Sequence, residues 1–213
     1  MTRGRFVTLE GIEGSGKSSL LQLLADWLRA TQSLTVLTTR EPGGTPLAEQ
    51  LRAIVLARGT EPMPASAELL IMFAARALHV ANVIRPALER GEWVLCDRFT
   101  DASLAYQGGG RGLDRDAIRG LADVAHPNLS PDLTLLLDLD SRAGLTRAQR
   151  RGGAGDRFED EAVAFFDRVR QCYLDLAREE PQRFRVLDAS RPQPEVQERG
   201  QEALSRLLRG DGR

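Results

Sequence analysis

Apolar residues along the 213-residue chain follow two alternating rhythms. Short, continuous apolar and β-branched runs at 6–10, 34–39, 93–97, 133–139 and 184–187 read as strands buried on both faces. Between them the apolar spacing is helical, with Leu20, Leu21, Leu24, Trp27 and Leu28 in one stretch and Leu47, Leu51, Ile54 and Val55 in the next. A long helix is expected over 66–89, bent or ended by Pro86, and a last helix over 194–208. Strands alternating with helices predict an α/β chain, with a central parallel sheet of about five strands flanked by helices. The length suits one domain spanning 1–213 with appended lids.

Three stretches fall outside this rhythm. Pro42, Gly43 and Gly44 read as a turn, Gly108–Gly112 as a flexible loop, and 147–157 as an arginine- and glycine-dense segment between helices. Lys+Arg 29 against Asp+Glu 30 leaves a formal charge of −1, which supplies no positive field for a nucleic-acid backbone. No apolar run approaches the roughly 20 residues of a membrane span, and the N-terminal residues run straight into a strand. The expectation is a soluble, cytoplasmic protein without a nucleic-acid or membrane partner. Cys96 and Cys172 lack metal-ligand spacing and read as reduced packing residues. Lys17 is the only lysine, so the other basic residues are all arginine. A biased codon preference accounts for the trend, and the single exception marks position 17 as chemically required.

That lysine lies in Gly11-Ile12-Glu13-Gly14-Ser15-Gly16-Lys17-Ser18, a complete G-x-x-x-x-G-K-[ST] between a predicted strand and an amphipathic helix. The context predicts a three-layer P-loop NTPase fold in which these residues and Ser19 bind ATP. Backbone N–H groups and the helix dipole face the β-phosphate, and the ammonium neutralises the β/γ charge. Ser18 supplies a hydroxyl for Mg²⁺. A guanine-reading motif needs a second lysine, which excludes a GTPase of that type. Asp97 and Arg98 close a predicted strand at the edge where such sheets bind ligands, which suits a carboxylate on the Mg²⁺ shell and a guanidinium on phosphate. A structural ion pair is the competing reading.

In combination with Thr39–Thr45, Phe73–Arg76, Ser103–Gly108, Pro131–Thr134 and Asp156-Arg157, these motifs resemble the bacterial thymidylate kinase family over nearly the whole chain. The resemblance implies transfer of the γ-phosphoryl of ATP to dTMP with Mg²⁺, in a homodimer. It implies Glu13 near the acceptor sugar, Arg52 and Arg40 on the monophosphate, and Arg98 between that group and the moving phosphoryl. Arg76, Ser103 and Gln107 fall at positions that read the thymine edge, and Tyr106 lies under the deoxyribose. Relatives stack a phenylalanine four residues before the helix arginine; here Met72 holds that place and Phe73 follows, so either Met72 or Phe73 faces the base. Gly14 replaces an arginine found in some P-loops, which shifts the catalytic cation to the lid over 147–157. Arg147, Arg151 and Arg157 are its candidates, with Arg147 also on the ATP side. The loop at Asp188-Ala189-Ser190 corresponds to an adenine contact. His79 and His126 are expected to be structural. A deoxynucleoside kinase, another nucleoside monophosphate kinase, or an ATPase acting on a partner are the competing functions.

Overall fold

The computed structural model describes residues 4–59, 61–150, 157–158 and 161–210. Five strands, β1 (Phe6–Glu10), β2 (Val36–Arg40), β3 (Trp93–Asp97), β4 (Leu133–Asp138) and β5 (Phe184–Asp188), form one sheet in the order β2-β3-β1-β4-β5. Every pairing is parallel. This is the predicted architecture, and each strand falls within two residues of its expected bounds.

The central strand shows why a parallel sheet is apolar on both sides. Val7 and Leu9 face a core built with Leu20, Leu24 and Leu28 of α1 (Lys17–Gln32) and Val196 and Leu204 of α9 (Gln193–Arg209). Phe6, one residue out of phase, faces the opposite layer of Val94, Cys96, Phe99 and Ile84. β1 has β3 on one side and β4 on the other, so the chain reverses direction across the sheet at its centre. The crevice at the carboxyl end of β1 lies at that switch point.

The remaining layers are α2 (Pro46–Leu56), α3 (Ala65–His79), α4 (Arg85–Glu89), α5 (Thr100–Ser103), α6 (Arg115–Ala125), α7 (Ser141–Arg150) and α8 (Val163–Glu179). The expected long helix does run from Ala65 to Glu89, and Pro86 does not end it. One wider π-turn, Val80–Ile84, precedes the proline, and the Arg85 N–H bonds to the Val80 carbonyl. The widened turn absorbs the ring clash and the missing donor that would otherwise break the helix. An 18-residue window of this helix has mean hydropathy 1.5, enough for a membrane span by length and composition. Its Leu69, Phe73, Val80, Ile84 and Leu88 are instead buried in two of the protein's own core clusters.

Gly108–Gly112 departs from expectation. Leu104–Gly110 continues α5 as a π-helical segment instead of forming a flexible loop. A Cβ at Gly109 would stand 2.6 Å from Cys172 Cβ, and one at Gly110 would stand 2.5 Å from the Phe165 ring. These glycines permit close approach to α8, a packing role rather than a hinge.

Candidate active site

The P-loop leaves β1 at Gly11 and closes at Gly16, the residue that precedes α1. No side chain caps the first turn of α1, so its N–H groups face outward as donors for an anion. Gly14 adopts φ +72°, and a Cβ there would come within 2.0 Å of the Gly144 carbonyl oxygen. Backbone of α7 therefore rests directly on the loop, and α7 carries Arg147. Lys17 folds back over the loop, donating to the Ile12 carbonyl at 2.7 Å and to Ser15 Oγ at 3.3 Å. Burial, assisted by the charge of Arg98, pushes its ammonium down to about 8. Ser18 Oγ donates to Asp97 Oδ2 at 2.7 Å, which joins the two expected metal-site residues across the start of α1 and the end of β3.

Two clefts flank the loop. One, about 620 Å³, runs along Gly14, Gly16 and Ser19 to Arg147 and the segment from Ala189 to Gln193. Arg147 Nη1 donates to the Ala189 carbonyl at 2.9 Å there, and Asp188 caps Ser190. The other, about 250 Å³, shares Gly14, Gly16 and Ser19 and extends past Glu13, Lys17, Asp97 and Arg98 to α2, α3 and the π-helical segment. Arg40, Arg52, Met72, Arg76, Ser103, Tyr106 and Gln107 all line this second cleft. Gly11, Ile12 and Ser15 complete the loop beneath them.

Arg98 lines the second cleft beside the phosphate loop. Its Nη1 donates to the Gly11 carbonyl at 2.8 Å and its Nη2 to Glu13 Oε1 at 2.9 Å, and the guanidinium lies 4.8 Å from the Tyr106 ring centre. Tyr106 OH donates to the other Glu13 oxygen at 2.7 Å. Burial works against the charged form of Arg98, but Tyr106 and Glu13 outweigh it and keep the group protonated. Burial drives the Tyr106 hydroxyl well above its usual range, so it stays a donor. Glu13 thus couples the P-loop to the wall of the second cleft.

The inner wall is organised by acids. Arg76 is buried: Nε donates to Glu41 Oε2 at 2.6 Å, Nη1 to Ser103 Oγ at 3.1 Å and Nη2 to the Phe99 carbonyl at 3.0 Å. Glu41 also meets His79 Nδ1 at 3.0 Å. Burial works against the Glu41 carboxylate, yet Arg76 and His79 outweigh it and hold its pKa below the ordinary value. Glu68, with no exposed surface, accepts from Gln107 Nε2 at 2.8 Å and from Arg157 Nη2 at 2.7 Å. The carboxylate fixes which end of the Gln107 amide faces inward. Arg52 donates to the Pro42 carbonyl at 2.8 Å, and Arg40 pairs with Glu49.

Met72 and Phe73 part company. Met72 lines the cleft, whereas Phe73 is buried in the core with its ring centre 4.5 Å from the Arg76 guanidinium carbon. Of the lid arginines, Arg147 faces the first cleft and Arg151 lies outside the described residues. Arg157 points away from the phosphate loop: its N–H groups bond Leu56 and Val55 carbonyls and its guanidinium pairs with Glu68. It anchors the end of the lid beside Phe158, which lines the second cleft. Glu41, Glu68 and Phe158 were missed in the sequence. Glu41 lay within a recognised motif, but a lone acid in an apolar helix such as Glu68 gives no sign of its partners. His79 and His126 are held by Thr39, Glu41, Thr100 and Leu129, and both cysteines are buried and free, as expected.

A P-loop at the switch point of a parallel sheet, open to two clefts that meet at its glycines, defines an ATP-dependent phosphotransferase of the nucleotide-kinase class. The family model for thymidylate kinase matches residues 9–199. A thymidylate kinase from Pseudomonas savastanoi pv. phaseolicola is 56% identical over 205 residues, 96% of this chain and 97% of that one. One from Alcanivorax borkumensis is 56% identical over 92% of this chain and 93% of its own. The crystal structure of thymidylate kinase from Ehrlichia chaffeensis superposes with a TM-score of 0.72 at 34% identity, covering 87% of this chain and 93% of that one. The chain belongs to the thymidylate kinase family.

Proposed function

We propose that this enzyme transfers the γ-phosphoryl group of Mg·ATP to the 5′-phosphate of dTMP, giving dTDP and ADP in dTTP biosynthesis. The observation that carries the reading is the pair of clefts sharing Gly14, Gly16 and Ser19, with Arg98 fixed against the phosphate loop in the second. ATP occupies the first cleft, its phosphates on the loop amides and Lys17, and the adenine near 188–190. The nucleotide acceptor occupies the second, with its monophosphate near Arg40, Arg52 and Arg98 and its base against Met72, Arg76, Ser103 and Gln107.

The acceptor oxygen is already anionic, so the reaction needs no general base. A bond forms from that oxygen to the γ-phosphorus while the bond to the β,γ-bridging oxygen breaks, and ADP leaves with the electron pair. Arg98 and Lys17 neutralise charge on the group in transit, and the clefts hold the reactants in line. The Ser18 hydroxyl and Asp97 carboxylate offer hard oxygen donors that fit Mg²⁺, and among the described residues no group of three or more His, Cys, Asp or Glu is placed to hold a metal ion. A site with so few protein oxygens suits an ion that keeps waters and binds substrate phosphates. When bound, the ion supplies charge neutralisation at the β- and γ-oxygens. Glu13 and Tyr106 present a carboxylate and a ring to the acceptor sugar, and Arg147 faces the ATP cleft.

The functional unit in this reading is one domain over 1–213 that works in the cytoplasm as a homodimer. Leu47 and Ile54 of α2 are 51% and 53% exposed and Leu70 of neighbouring α3 is 57% exposed, an apolar patch suited to a second copy. Light scattering at micromolar concentration should give twice the chain mass. A panel of monophosphates with Mg·ATP, read by ADP release, tests the function. The fastest release is expected with dTMP and none above background with thymidine; preference for thymidine, or release indifferent to any acceptor, overturns the reading.

A further inference from the structure

We propose that Glu10 is a positioning residue for phosphoryl transfer: its buried side-chain oxygens hold Arg98 in the left-handed corner that aims the guanidinium at Gly11 and Glu13 of the phosphate loop, on the wall of the second cleft. The inference rests on the kinase reading above but concerns a residue outside the P-loop that lines neither cleft.

Glu10 ends the central strand with no exposed surface, and such a burial of an acid is costly unless its oxygens are used. Both are. Oε1 accepts the Phe99 N–H at 2.7 Å and Oε2 accepts the Tyr173 hydroxyl at 2.7 Å. The residue between these contacts is Arg98, whose φ of +71° lies in the left-handed region that a long L side chain seldom adopts. Such a conformation persists only when its surroundings over-determine it. Here the Arg98 N–H bonds the Leu9 carbonyl at 3.0 Å, and the next N–H along is the one that Glu10 holds. The far end of the same side chain is also reached from Glu10, because Tyr173 OH lies 3.3 Å from Arg98 Nη1. One carboxyl group therefore steadies Arg98 at its backbone and at its guanidinium.

What the corner requires from position 10 is an acceptor oxygen rather than a negative charge. Burial and the nearby charge of Asp101 push the Glu10 carboxyl up to about 8, against the smaller opposing effects of Tyr173, Arg98 and the Phe99 N–H. A glutamine keeps an oxygen for Phe99 and remains neutral; a leucine of similar bulk keeps neither bond.

The test is steady-state kinetics with dTMP and Mg·ATP on Glu10→Leu and Glu10→Gln, each made in the wild type and in an Arg98→Lys background. Glu10→Leu is expected to lower kcat about tenfold or more, with KM for ATP moved less than about twofold, and Glu10→Gln to stay within about threefold of wild type. In the Arg98→Lys background the same leucine should cost less than about threefold more, because the group it positions has gone. Unchanged turnover in Glu10→Leu, equal losses in both backgrounds, or equal damage from glutamine and leucine overturns the proposal. Should Glu10→Leu fail to fold, Tyr173→Phe removes only the link to the guanidinium: about a fivefold fall in kcat, absorbed by Arg98→Lys, supports the proposal, and full activity overturns it. Wild-type turnover of dTMP in the same assay reports on the kinase reading separately.

Discussion

Arg76 and Glu41 are opposite charges placed where almost no water reaches, with side chains 3% and 2% exposed. A buried pair of this kind adds little net stability, yet removing one partner leaves the other charge uncompensated at a cost of about 3–5 kcal/mol. Glu41→Ala should therefore lower unfolding free energy by about that amount in urea titrations, and it should raise KM for dTMP more than KM for ATP, because Arg76 lines the second cleft and not the first. Lys17 is held by hydrogen bonds of 2.7 Å to the Ile12 carbonyl and 3.3 Å to Ser15 Oγ inside the loop. Arginine cannot fold into the same space, since its planar fork needs more room than a compact ammonium. Lys17→Arg is expected to reduce kcat/KM for ATP about 100-fold or more, measured with saturating dTMP. The two substitutions separate the clefts kinetically, one acting on each substrate.

At the scale of elements, the segment from Leu104 to Gly110 shapes one wall of the second cleft. It presents Tyr106 and Gln107 to the cleft and Gly109 and Gly110 to α8 on the other side. Gly110→Val would place a branched side chain against the rings of Phe165 and the methyls of Val169. Overpacking of this kind typically costs about 1–3 kcal/mol, so the melting temperature should drop and KM for dTMP should rise as Tyr106 is displaced. The contact of Gly14 with Gly144 joins the P-loop to α7 in the same way, backbone against backbone. A side chain at Gly144 would meet the Glu13 carbonyl oxygen at 2.6 Å, so Gly144→Val should weaken ATP binding in isothermal titration while leaving the helices folded by circular dichroism.

The whole molecule registers its buried acid through pH. Glu10 has a folded-state pKa of about 8 against an ordinary 4.5. Between those values the native state holds a proton that the unfolded chain has released, so this group's contribution to stability falls as pH rises, by at most about 1.4 kcal/mol per pH unit. Glu10→Gln has no such proton to lose. Its stability relative to wild type, from urea unfolding at pH 5.5 and pH 8, should therefore improve at the higher pH; a constant difference would contradict the assignment.

The strands, the P-loop with its single lysine, and most of the cleft residues were legible along the chain because they depend on local rules. Apolar runs make buried strands, and phosphate binding needs glycines and an ammonium at fixed spacing within one loop. The segment at Gly108–Gly112 was misread because a run of glycines has the same composition whether it bends freely or packs closely, and only the position of α8 distinguishes the two. Arg157 matches the lid pattern and so reads as a candidate catalytic cation, whereas its pairing with Glu68 joins residues 89 positions apart in sequence. The same holds for Met72 and Phe73, adjacent in sequence but assigned to cleft and core by the rotation of α3 against its neighbours. Sequence by itself determined the sheet, the phosphate loop and the family. Tertiary structure alone decided which buried acids hold which arginines, since an ion pair in a dry interior is set by distance and desolvation, and neither is written in the order of residues.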